Sequence, residues 1–124
     1  MAGARHFAEL ACWQLADELK GLIYEISRRP GVRRDLKFYE QLRDAAASAP
    51  RNIAEGFGRR THRDFAHFLD VARASLNECQ NHLRDCVARG YLTADECRAP
   101  MIISMRASGA VAALQRYLRS NPDP

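Results

Sequence analysis

Phe65, Leu69, Ala72, Leu76, Cys79, Leu83 and Cys86 are separated by alternating steps of four and three residues. That spacing places seven small or apolar side chains on one narrow stripe of an α-helix, a seam that must close against other helices. No segment of the chain shows a competing period of two. The helix is predicted over about His62 to Arg89, because Thr61 followed by Asp64 has the Thr-x-x-acid form of an N-terminal cap and Gly90 stops it.

Three further helices supply its partners. The first is predicted from about Phe7 to Ser27, with Cys12, Leu15, Leu19, Leu22 and Ile26 on its seam. The segment from Arg28 to Asp35 breaks the pattern with Pro30-Gly31 and reads as a basic turn. The second helix runs from about Leu36 to Phe57. Pro50 lies inside it and predicts a kink near Ala46 to Pro50, since proline removes a hydrogen bond and crowds the preceding turn. The last helix follows Thr93 and Glu96, a second capping pair, tolerates Pro100 in its first turns, and buries Ile103, Ala107, Ala110, Leu114 and Tyr117. Four such helices with short links predict an all-α fold, an antiparallel up-down-up-down four-helix bundle. At 124 residues the chain is one domain, 1–124, with an ordered core over about 7–119.

The second helix carries two stripes. Leu42, Ala46, Ala49, Ile53 and Phe57 form the apolar one, and Gln41, Ser48, Asn52, Glu55 and Arg59 lie beside it. Short amides and hydroxyls compete for backbone bonds inside helices, so a row of them predicts a packed polar seam rather than a solvated face. Trp13 and Tyr24 lie off the first seam, and Met101 and Met105 off the last. They are the candidate oligomer interface, because aromatics are enriched at interface cores.

Charge is unevenly spread. Residues 28–63 hold ten Lys/Arg against four Asp/Glu, a net of +6, which leaves −2 for the rest of a chain of net charge +4. Arg28, Arg29, Arg33, Arg34 and Lys37 precede the second helix, while Arg59, Arg60 and Arg63 follow it; these are the candidate nucleic-acid or anion-binding residues. The second group crowds a helix N-terminus, which already favours anions through its unpaired N–H groups and dipole. No apolar run reaches the roughly 18 residues of a membrane span, and the opening residues lack a signal-peptide core. A cytoplasmic location without membrane association is expected.

The phrase Gln41-Leu42-Arg43, Ala45-Ala46, Ser48-Ala49-Pro50-Arg51-Asn52-Ile53-Ala54-Glu55-Gly56-Phe57-Gly58-Arg59 resembles the signature of the bacterial four-helix-bundle proteins called 23S rRNA-intervening sequence proteins. Trp13 with Ala16 and Leu19, Tyr24, Phe68-Leu69 with Ala72, Ser75 to Glu78, and Gly90-Tyr91-Leu92 extend the resemblance over roughly Phe7 to Leu118. The sequence departs from the pattern at Ala49, where a bulkier aliphatic is common, and in its basic turn. The resemblance implies a ring-like homopentamer, similar also to the accessory proteins of diversity-generating retroelements, which bind nucleic acid and a reverse transcriptase. It implies no enzymatic activity.

Cys79, His82 and Cys86 share one side of the third helix, yet both cysteines are seam positions that suit a small apolar residue, so no metal or other cofactor is expected. His62 and His67 lie on different faces without a third ligand. Glu55 and Glu78 have no pocket, nucleophile or oxyanion stabiliser around them, and Glu55 precedes Arg59 by the four residues of a helical ion pair. Two non-enzymatic readings remain: a homo-oligomeric adaptor that binds RNA or DNA, and a protein-binding scaffold whose arginines are ordinary solvated charge.

Overall fold

The computed structural model describes residues 3–123; residues 1, 2 and 124 of the expected domain lie outside the described residues. The described residues form a short 3₁₀ turn, Phe7–Glu9, and five helices: α1 (Ala11–Ile26), α2 (Pro30–Arg34), α3 (Leu36–Phe57), α4 (His62–Ala88) and α5 (Arg98–Ser120). None is long and apolar enough to cross a membrane.

The first expected helix is broken near its start. Glu9 turns back to accept the backbone N–H groups of Arg5 and His6, closing a turn on itself, and Leu10 then takes an extended conformation that buries its side chain. Within α1 the buried residues are Cys12, Ala16, Leu19 and Ile23, whereas Leu15, Leu22 and Ile26 are half-buried flanks. The seam is therefore rotated from the expected one, because Ala16 lets a neighbouring helix approach more closely than the larger aliphatics would.

The basic turn is itself helical. Pro30 occupies the first position of α2, where its fixed φ and missing N–H cost nothing. Val32 is fully buried, and Gly31 sits so close to the α4–α5 connection that a Cβ would stand 2.7 Å from the Tyr91 carbonyl oxygen. Asp35 then caps α3, its Oδ1 accepting the Phe38 N–H at 3.2 Å. α3 has the expected bounds and runs on through Pro50, which is buried.

The four long helices form a closed cycle: α1 packs on α3 and α5, α3 on α4, and α4 on α5. Phe38 meets His82, Ser48 meets Ser75 and Gly56 meets Phe65, so α3 and α4 run antiparallel. Gln80 with Ser108, and Ala66 with Gln115, show the same for α4 and α5. All seven predicted seam residues of α4 are buried. In α5, Ile103 and Ala107 are buried as expected, but the core then continues through Val111, Gln115 and Leu118, leaving Ala110, Leu114 and Tyr117 half-buried. Gln115 can occupy the core because it is saturated. It donates to the Ala66 carbonyl at 3.1 Å and to Asp70 Oδ1 at 2.6 Å, and its Oε1 accepts from Arg73 at 3.0 Å.

Candidate nucleic-acid interface

The two basic groups lie at opposite ends of α3 and have different surroundings. At its N-terminal end, Arg28, Arg33, Arg34 and Lys37 are exposed, and no carboxylate among the described residues pairs with them. Arg29 is the exception, 3.2 Å from Glu96. The nearest acid in sequence, Asp35, is already engaged. Its Oδ2 accepts from the Tyr91 hydroxyl at 2.7 Å and from Arg89 at 3.1 Å. The Tyr91 hydrogen bond, then the Phe38 N–H and the Arg89 guanidinium, hold its carboxyl below the usual aspartate range. It therefore stays charged, and its charge is directed toward Arg89 and Tyr91.

At the other end, Arg59 pairs with Glu55 at 3.1 Å and lies 4.6 Å over the Phe68 ring, while Arg60 and Arg63 are exposed without a carboxylate partner among the described residues. The start of α4 is not open to an external anion. Thr61 Oγ1 accepts the Asp64 N–H at 3.1 Å, as the capping signal requires, and the His62 N–H donates to Asp123 Oδ2 at 2.5 Å. The His62 ring also contacts Asp123 and the Asn121 carbonyl. The C-terminal segment thus places its own carboxylate where an exogenous anion is expected, an interaction that a helix N-terminus favours for any anion.

The polar seam is shorter than expected. Asn52 donates to the Ser48 carbonyl at 2.8 Å and to Ser48 Oγ at 3.0 Å, and Ser48 Oγ lies 2.7 Å from Ser75 Oγ across the α3–α4 contact. Gln41 and Glu55, one at each end of that stripe, are exposed. Of the candidate interface residues, Trp13 is half-buried against Phe7, with ring centroids 5.2 Å apart, and Tyr24 is half-buried beneath Arg43. Met101 is half-buried, while Met105 is 62% exposed beside the 50% exposed Ile102. The two methionines therefore border an apolar surface, and the two aromatics are largely covered by their own chain.

Cys79 and Cys86 are buried, and burial pushes both thiols up to about 12. His82 stands edge-on to Phe38, with Nε2 3.2 Å from Glu78. The expected helix-three side of Cys79, His82 and Cys86 is thus a packing face. Arg43 and Tyr39 are residues that charge and seam patterns pass over. The Arg43 guanidinium lies 3.8 Å from the centroid of Tyr24 on α1 and 5.1 Å from that of Tyr39 on its own helix. The signal available was Arg43 itself, inside the Gln41-Leu42-Arg43 phrase; its partner on α1 is 19 residues away.

A family model described as 23S rRNA-intervening sequence protein matches residues 8–102, from the 3₁₀ turn through α4 to the opening of α5. No curated protein matches the chain. The matched span contains the seam of α4, the Asn52 to Gly56 phrase and the basic end, and it covers well over half of the sequence. This chain belongs to the 23S rRNA-intervening sequence protein family.

Proposed function

We propose that the chain is a non-enzymatic, cytoplasmic adaptor that assembles into a homo-oligomer, a pentamer on the resemblance described above, and binds RNA or DNA through its basic end. The observation that carries this reading is the exposure of Arg28, Arg33, Arg34 and Lys37 without an acidic partner among the described residues. Exposed cations that no carboxylate neutralises are suited to phosphate, and repeating them around an assembly makes weak single contacts cumulative. The other group contributes less: Arg59 is paired and stacked, and Asp123 occupies the start of α4. Exposed Ile102 and Met105 support assembly, since burying them against another copy removes apolar surface from water.

The second reading, a protein-binding scaffold, rests on that same surface. An apolar groove of about 540 Å³ between α4 and α5 is bordered by Val87, Ala94, Met101 and Ile102. The test is binding of single-stranded RNA and duplex DNA across a salt series, comparing wild type with Arg28→Gln/Arg33→Gln/Arg34→Gln/Lys37→Gln. The adaptor reading predicts sequence-tolerant binding that falls steeply with salt. Each lost phosphate contact flattens the logarithmic slope by roughly 0.7 for a single strand. Wild-type protein that binds neither nucleic acid at low salt favours the scaffold.

A further inference from the structure

Arg43 is the one arginine among the described residues that is not exposed, yet no carboxylate stands within ion-pair distance of it. The arginines that do have carboxylate partners, Arg29, Arg59, Arg89, Arg98 and Arg119, all lie at the surface, where pairing matters least. A partly desolvated guanidinium calls for compensation, and the Tyr24 ring supplies only part of it.

The side chain is held in place. Its Nη1 donates to Ser27 Oγ at 3.0 Å and to the Tyr24 carbonyl at 3.5 Å, and the fully buried Ser27 donates in turn to that carbonyl at 2.8 Å. Nε–H and Nη2 have no acceptor among the described residues. Those two groups form the parallel fork that grips an oxyanion through two hydrogen bonds. The Arg43 side chain also borders open space. A trough of about 600 Å³ containing Tyr24, Lys37, Tyr39 and Arg43 adjoins a recess of about 330 Å³ that shares Tyr24 and Arg43 and reaches Arg28. Arg43 therefore lies between two cations of the basic end.

We infer that the Arg43 fork is a phosphate subsite for single-stranded nucleic acid, seated in the trough between α1 and α3. The inference rests on the reading that the basic end binds nucleic acid, and it locates a second contact for that ligand. Tyr39, half-buried in the trough wall, offers aromatic surface to an unstacked base, as single-strand binders do, while the Tyr24 ring is taken up by Arg43 itself. Glu25, Glu40 and Asp44 also line the trough and its recess. Their charge repels the dense phosphates of a duplex, whereas base amino groups and ribose hydroxyls of a single strand can donate to them.

The test uses a labelled oligouridylate and a DNA duplex of equal length, with wild type, Arg43→Gln and Arg43→Lys. Loss of a charge-assisted pair of hydrogen bonds predicts single-strand binding at least about tenfold weaker in Arg43→Gln, with duplex binding unchanged. Arg43→Lys keeps the cation over Tyr24, so its salt slope matches wild type, but it lacks the fork and remains weaker. Equal single-strand affinity in all three proteins overturns the inference, and if the basic-end variant nevertheless loses binding, the broader reading survives. A drop in particle mass for Arg43→Gln with unchanged binding per subunit also overturns it, by assigning the fork to a neighbouring copy's carboxylate. Wild-type protein that binds neither probe overturns both.

Discussion

Gly56 ends the Asn52 to Gly56 phrase where α3 lies close against Phe65 and Phe68 of α4, and Gly56→Ala tests whether that approach explains the glycine. A Cβ there would stand 2.8 Å from Phe65 Cδ1 and 2.8 Å from Phe68 Cβ. Carbon contacts are comfortable at about 3.5–4.0 Å. Phe65 is 3% exposed and has little room to turn, while Phe68 Cβ is fixed to the α4 backbone, so the helices must separate. Overpacking of this kind costs typically about 1–3 kcal/mol. Replacing a helical glycine by alanine returns about 0.8–1.0 kcal/mol of helix propensity, so the net loss reaches about 2 kcal/mol. Gly21 and Gly109, also inside helices, have nothing within 4 Å of the position a Cβ would take. Their alanine variants should gain roughly 0.5–1 kcal/mol. Urea unfolding followed by far-ultraviolet circular dichroism compares the three. A Gly56→Ala protein as stable as Gly109→Ala would refute the close approach as the reason for the glycine.

Asp35→Asn keeps an acceptor for the Phe38 N–H but removes the charge facing Tyr91 and Arg89. Because the folded carboxyl is held below its usual range, its stabilisation is present above the unfolded aspartate pKa and is lost as pH falls through the folded one. The variant should melt lower than wild type at neutral pH, with the two curves converging in acid; a constant difference at every pH would contradict this. Cys79 and Cys86, with thiols pushed up to about 12, and Cys12, at about 11, should resist alkylation at mildly alkaline pH until denaturant is added, as a thiol count with and without urea will show. Asn52→Leu removes two hydrogen bonds to Ser48 and should cost about 1 kcal/mol without changing particle mass; an unchanged melting temperature would show that they contribute nothing.

The helices are legible in the sequence where local chemistry and period agree. Thr61 and Gly90 bracket α4, and Asp35 caps α3 at the expected start. The face of α1 is easily misassigned because the large aliphatics Leu15 and Leu22 look more core-like than Ala16, although a small residue permits the closer helix contact. The face of α5 is hidden for a different reason: Gln115 looks like a surface residue until Ala66, Asp70 and Arg73, far earlier in the chain, are seen to satisfy it. The candidate site shows the same limit. Exposed arginines can be read from composition and turn signals, but their partners cannot. Asp123 reaches the start of α4 across 61 residues, and Tyr24 meets Arg43 across a helix boundary.

Whether this bundle assembles and carries nucleic acid can be decided in a single trace. Size-exclusion chromatography with light scattering is run at low salt on the protein mixed with a labelled single-stranded RNA. An assembling, phosphate-binding bundle elutes as a particle several times the 14.0 kDa of one chain, together with the RNA, and releases it as salt is raised. A 14.0 kDa particle eluting apart from the RNA at low salt would contradict both assembly and binding.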